Sequence, residues 1–477
     1  MRGSAYLGAP AAYLGAPAAS MRRLRRPLIL LVLLCAFPLH AQWEPEPVDT
    51  GVVGLGLALR RLQTTASLLY ITAHPDDEDN GLLAKLSRGK GLRVGTLTLT
   101  RGEGGQNEIG PELSDALGVL RSEELLATHR LDGVEQYFGS VVDFGYSFSV
   151  EETIQKWGQG ETVRDIVRVL RRFRPDIVVT LSPGGAGGGQ HHQASARLAT
   201  EAFRAAGDLS RYPEMRSENP AWAARKLYRA HWSLSPEGRR TAIEVQLGDY
   251  DHLLGMSYAE LGALARNRHR CQGMNRPPVP GPQSRWYTPV MAADGTALTD
   301  DTELLRGIPS LAESLSFVAS LPGEPRGGEP ALARLARRCL RTYDSGSYAD
   351  LPALVMRGLA EVRRLETLVR VSELEPSVRQ QASFLLGEEK RDWLDAAAKA
   401  HYLDYDAQVG RGHADGLVTP GEVFVAETRL VNRGKLPVRV KETRVEAPAG
   451  WKVKLLDSSR FLQSGRLVGP FLPLRPG

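Results

Sequence analysis

The hydrophobic rhythm of the chain changes twice. Between about Leu68 and Gly273, short apolar runs alternate with amphipathic stretches. LLYIT (68–72), LRVGTLTLT (92–100) and DIVVTLSP (176–183) read as buried strands. Residues 79–88, 112–131 and 162–173 repeat apolar positions every three to four residues, as in Leu113, Leu117, Leu120, Leu125 and Leu131; that period predicts helices. Pro175 ends the third. Strands separated by helices predict an α/β fold, a Rossmann-like parallel sheet with helices on both faces. Ligands of such sheets sit beyond the carboxyl ends of the strands. From about Thr302 to Ala400, leucines and valines at helical spacing with arginines between them predict an amphipathic helical region, interrupted by the loop LPGEPRGGEP (321–330). From about Tyr405 the pattern alternates again, and NRGK reads as a turn between two strands. This is a partial β-sandwich-like tail, with too few strands for a full sandwich of roughly seven. The expected divisions are a leader at 1–41, an α/β domain at 42–275, a helical accessory region at 276–400 and the β-rich tail at 401–477.

The leader changes the reading of the charge. The formal net charge is +5, but Arg2, Arg22, Arg23, Arg25 and Arg26 all lie in residues 1–41, which hold no acidic residue. Subtracting these five leaves a body of zero net charge, without the long-range field that favours nucleic acid. Residues 21–41 have the layout of a secretory signal peptide: four arginines, an apolar run from Leu28 to Phe37, and Ala41 before a cleavage point. The run is about half of the ~20 residues needed to span a bilayer, so no permanent membrane span is expected, and the protein is expected to be secreted or periplasmic. Upstream, AYLGAPA occurs twice in tandem (5–11 and 12–18), as low-complexity sequence. Three cysteines exclude a disulfide scaffold. Cys271 and Cys339 follow the leader, and the sequence leaves open whether they pair.

The chemistry gathers after two strands. The first ends in ITAHPDDEDN (71–80), so His74, Asp76 and Asp77 lie just past its carboxyl end. His74 and Asp77 are three apart, and a turn there aims both at one point. Imidazole nitrogen and carboxylate oxygen suit Zn²⁺, and also Fe²⁺. Asp76, beside them, suits a general base. The competing role for these aspartates is a helix N-cap. DIVVTLSP is followed by GGAGGGQHHQAS, where His191 and His192 close a glycine loop before a helix. A second pair of ligands at the same sheet edge favours a metal site, since catalytic zinc commonly takes three protein ligands. A phosphate-cradling loop is the weaker reading, because neither a GK[ST] nor a G-x-G-x-x-G element is present. Arg101 and Glu103 follow the second strand near the same mouth, where they suit substrate contacts or a loop ion pair. Arg121 and Glu124 suit either a substrate role or an i,i+3 pair on one helix. Asp143 reads as a turn residue or a partner behind the site, and His269 as a solvated helix-end histidine or, alternatively, one that approaches the site.

HPDDE (74–78), TRGEGGQNEIG (100–110), RSEELLA (121–127) and HHQAS (191–195) together resemble the GlcNAc-phosphatidylinositol de-N-acetylase family, the PIG-L or LmbE-like deacetylases. The resemblance covers roughly residues 65–275. It implies a Rossmann-like fold and zinc-dependent hydrolysis of an N-acyl group on an amino sugar or glycoconjugate. It also implies His74, Asp77 and His192 as metal ligands and Asp76 as general base. The family's H-x-x-H element is incomplete: its first histidine, an oxyanion donor, falls at Gly189. Either the loop bends so that His191, two positions away, supplies the donor, or another group does, or activity is reduced. Two rival readings stand beside the hydrolase. One is a non-catalytic glycan-binding protein on the same fold. The other is an Fe²⁺ oxygenase using two histidines and one carboxylate.

Overall fold

The computed structural model describes residues 49–477 apart from 185–188, 232, 299–300, 410–417, 419–420, 441–444, 446, 448–449, 456–459, 464–465, 470–471 and 477. The leader and its signal peptide lie outside the described residues. Helix α1 (Gly51–Arg61) leads into β1 (Ser67–Thr72). The short α2 (Asn80–Ala84) continues as one π-helical turn to Gly89 before β2 (Arg93–Thr98). Then follow α3 (Ser114–Asp132), β3 (Glu135–Phe138), α4 (Val150–Trp157), α5 (Gln159–Phe173), β4 (Ile177–Thr180) and α6 (Gln190–Gly207). Strands β5 (Lys226–His231) and β6 (Ile243–Gln246), a short ribbon of β7 (Tyr250–Asp251) and β8 (Met256–Ser257), α7 (Tyr258–Arg266) and β9 (Ser284–Ala292) complete this part.

Seven strands form one sheet in the order β3-β2-β1-β4-β5-β9-β6. Its first five strands are parallel, and β9 and β6 are added antiparallel at one edge. The side-chain period of two divides the interior between its faces. Leu69, Ile71, Val178 and Leu227 pack on one face against Ile166, Leu170 and Leu198 of α5 and α6. Leu68, Tyr70, Val179 and Tyr228 pack on the other against Leu82, Leu83 and Leu86 of α2 and the turn after it. Every residue of β1 and β4 is buried. Such strands read as continuous apolar runs, as in parallel sheets covered on both sides. The α/β expectation therefore holds.

The boundary expected at 275 does not. Strand β9 pairs with β5 and β6, so the sheet runs on to Ala292. The internal proline of SRWYTPVMA, Pro289, hid its strand period. At the other end, Leu55, Ala58 and Leu59 of α1 join a separate helical core with α8 (Ala331–Asp344), α9 (Leu351–Val371) and α10 (Pro376–Ala400). Helices α9 and α10 meet where Gly358 faces the Trp393 ring, with no room for a Cβ. The tail forms a four-stranded antiparallel sheet, β10 (Leu403–Val409), β11 (Ala426–Asn432), β15 (Leu472–Pro476) and β12 (Val453–Leu455), beside a hairpin of β13 (Arg460–Gln463) and β14 (Arg466–Gly469). Cys271 and Cys339 are both free and buried. Among the described residues no helix is long and apolar enough to cross a membrane.

Candidate metal centre

The parallel order 3-2-1-4-5 reverses direction between β1 and β4, and a crevice opens beyond their carboxyl ends at such a reversal. The loop after β1 and the first turn of α6, after β4, meet there. In the β1 loop Oδ2 of Asp77 accepts the N–H groups of Ala73 (3.1 Å) and His74 (2.8 Å), which curls the backbone back on itself. The N-cap of α2 falls to Asp79, whose side chain accepts from Gly81 and Leu82. Asp76 and Asp77 are thereby released from the capping role.

Three ligand atoms converge. Nδ1 of His74 lies 3.1 Å from Nε2 of His192. Oδ1 of Asp77 is 2.9 Å from the same His192 nitrogen, and Oδ2 is 3.5 Å from His74 Nδ1. Tetrahedral ligands 2.0–2.2 Å from a zinc ion are separated by about 3.3 Å, so these atoms are spaced as such an ion requires. The donor set, two imidazoles and one carboxylate, fits a divalent cation. Nδ1 of His192 accepts the Gly189 N–H at 2.8 Å. That places the proton of the neutral ring on Nε2, where Asp77 shares it and a bound cation would replace it. Burial alone would raise the Asp77 carboxyl, but the charge and hydrogen bonds of His192 and His74 hold it well below the usual carboxylate range. The charge of Asp77 in turn raises His192.

Asp76 stands beside the triad at φ +94°, in the left-handed region that side chains rarely adopt. Burial, and then the neighbouring Asp77, push its carboxyl up to about 6. Its carbonyl receives Arg266 Nη1, and its N–H is donated to Glu78 Oε2 at 3.1 Å.

His191 is not where the sequence reading put it. Its Nδ1 is 3.0 Å from Nε2 of His74 and 3.4 Å from Oδ1 of Asp143. Its Nε2 is buried with no hydrogen-bond partner, and the ring lies against Phe144 and Trp157. In this arrangement His191 backs the His74 ring, and His74, Asp143 and His191 form a second group whose ligand atoms could hold a cation. Asp143 shares this task, with Oδ2 3.7 Å from His74 Nε2. A carboxylate on the far nitrogen of a ligating histidine fixes its tautomer and orientation. Asp143 also accepts Gly145 N–H at 2.9 Å, so the turn role assigned from sequence is real as well.

Arg121 requires a second correction. It is 5% exposed, and its guanidinium donates to Gly102 O (2.9 Å) and Pro75 O (3.0 Å). It ties the loops after β1 and β2 together instead of facing a substrate. The i,i+3 pair with Glu124 does not form; Glu124 accepts Cys271 N–H instead. Glu103 accepts the N–H groups of Arg101 and Asp143. Arg101 is exposed at the rim, over the Phe138 ring and 3.0 Å from Ser122 Oγ. His269 is fully buried, with Nε2 3.3 Å from Glu78 Oε1. Gln272 and Arg266 lie in no motif, and Glu78, the last residue of HPDDE, drew no role from the sequence; only the fold reveals what they touch.

Residues 69–203 match the family model PIG-L: GlcNAc-PI de-N-acetylase, and that stretch is a PIG-L family domain. The 1D-myo-inositol 2-acetamido-2-deoxy-alpha-D-glucopyranoside deacetylase of Streptomyces scabiei is 31% identical over 189 residues, covering 36% of this chain and 56% of its own. The protein of that name from Geodermatophilus obscurus is 33% identical over 179 residues, covering 34% of this chain and 60% of its own. The chain thus spans little more than half the length of these curated relatives. Among solved structures, N,N'-diacetylchitobiose deacetylase from Pyrococcus horikoshii is 22% identical, covering 43% of this chain and 70% of its own, with a TM-score of 0.33.

Proposed function

We propose that this protein is a secreted, zinc-dependent N-deacetylase that removes an acetyl or related acyl group from an amino sugar or glycoconjugate. The observation that carries the reading is the convergence of His74, Asp77 and His192, with Asp76 alongside. The PIG-L domain and the names of its relatives support the same chemistry. A divalent ion held by the three ligands supplies polarisation of the acyl carbonyl, charge for the developing oxyanion and acidification of water. Asp76 takes a proton from the attacking water and returns it to the leaving amine, so that an amide and water become a carboxylic acid and a free amine. Asp143 and His191 hold the His74 ring from behind. Arg101 at the rim is the substrate contact retained from the sequence reading, and Glu103 positions the two loops around it. The proposed export signal is Met21–Ala41.

A glycan-binding protein without turnover is the second reading, favoured by Gly189 and the inward-turned His191. A screen of N-acetylated amino sugars and glycoconjugates with zinc restored, wild type against Asp76→Ala, separates the two. Acetate release by the wild type alone supports the hydrolase. Zinc-loaded wild type that binds glycans without releasing acetate supports the binder.

A further inference from the structure

Behind the metal centre lies a buried charged network that no ligand role explains. Glu78 is 1% exposed and His269 is fully buried. Both carboxylate oxygens of Glu78 are engaged. Oε1 faces His269 Nε2 and the Asn80 amide, each at 3.3 Å, and Oε2 accepts the backbone N–H of Asp76 at 3.1 Å. Asn80 continues to Asp132 (3.1 Å), and Asp132 to His129 (3.0 Å). Buried ion pairs are weak sources of stability, since desolvation offsets most of their attraction. A carboxylate kept at this depth therefore calls for a specific task, and the one contact it makes toward the site is the peptide of the general base.

That peptide is strained. Asp76 holds φ +94°, a conformation that persists only where the surroundings over-determine it. The loop carbonyls are already secured: Pro75 O by Arg121 and Gln272, and Asp76 O by Arg266. The Asp76 N–H is the group left for Glu78. We infer that Glu78, braced by His269, is a positioning residue that holds Asp76 in its left-handed conformation and so aims the base carboxylate. The inference rests on the reading of Asp76 as the base, and deepens it.

The test uses the full zinc-loaded chain, with Glu78→Ala, Glu78→Gln and, as a control one step further along the network, Asp132→Asn. Zinc per chain, melting temperature, kcat and KM are measured for each, and the Glu78→Ala crystal structure is determined. Glu78→Ala is expected to lower kcat roughly 100-fold, the scale of a 1 Å misplacement, with KM and zinc content unchanged, and Asp76 is expected to leave positive φ. Glu78→Gln keeps an acceptor oxygen and should recover most of the rate. Asp132→Asn should lower the melting temperature without the fall in kcat. Should Glu78→Ala not fold, His269→Gln replaces it, with the same expected split. An Asp76 that keeps its φ, an unchanged kcat, or a loss that follows zinc content overturns the inference. If the wild type turns over no substrate, the deacetylase reading fails, while the φ of Asp76 in the variant crystal still decides the positioning role.

Discussion

Nδ1 of His74 and Nε2 of His192 are 3.1 Å apart although 118 positions separate them in the chain. Parallel strands β1 and β4 make this possible: they end side by side, β1 running into the loop that carries His74 and β4 preceding α6, which carries His192. The separation of ligand and base roles at this edge leads to the first expectation. Asp76→Asn should lower kcat by about 10²–10⁴, the usual contribution of a general base, and leave zinc content intact. His192→Ala should lose the zinc itself. Metal analysis beside steady-state kinetics distinguishes the two; a zinc-free Asp76→Asn protein would remove Asp76 from the base role.

Asp143 should act on metal affinity. Its carboxyl, which burial alone would raise, is held low by His191 and His74, as expected of a charged group braced against imidazoles. Asp143→Asn should weaken zinc binding about 10–100-fold, the usual effect of removing such a partner. Competition with a chelating dye measures it. Affinity equal to wild type would show that the His74 ring is oriented without it.

Arg121 separates a structural role from a substrate role. Arg121→Met removes one donor from each of Gly102 O and Pro75 O, which keep Gly105 N–H and Gln272, so the cost is that of the lost hydrogen bonds, about 0.5–1.5 kcal/mol each. The expected result is a lower melting temperature and a lower kcat with KM little changed. A raised KM at constant kcat and stability would restore the substrate contact expected from sequence.

Glu389, in the helical core, should tie stability to pH. Burial, and then Asp392, raise its carboxyl to about 8, against the opposing charge of Arg61 and the Trp393 hydrogen bond. The unfolded chain releases this proton near the ordinary glutamate value of 4.5, while the folded chain keeps it until about pH 8. The contribution is therefore complete below 4.5 and is lost as pH rises through about 8, by up to ~1.4 kcal/mol per pH unit. Glu389→Gln should flatten that fall and raise the melting temperature at pH 8 more than at pH 5. Parallel melting curves for the two proteins across that range would contradict it.

Much of the centre was legible because its chemistry is local in sequence. HPDD sits at a strand end and HHQAS opens a helix, so both could be assigned to one sheet edge from hydrophobic period alone. The N-cap role weighed for Asp76 and Asp77 falls to Asp79, three positions beyond Asp76. The misreadings share one cause: they concern which way a side chain turns. His191 and His192 are adjacent, and only the start of α6 decides that one ring faces the triad and the other lies between His74 and Trp157. Arg121 looks like a rim residue by position on its helix, yet it points beneath two loops. Glu78 and His269 are 191 positions apart, and neither carries a pattern that announces the other. Strand β9, between β5 and β6, was missed because a two-residue period broken by Pro289 is a weak signal.

The most direct measurement is anomalous scattering at the zinc edge from crystals of the zinc-loaded full chain. The account expects one peak per chain, about 2.0–2.2 Å from His74 Nδ1, His192 Nε2 and an Asp77 oxygen, with Asp76 near the ion but not bound to it. No peak there, or a peak on residues other than these three, would contradict it.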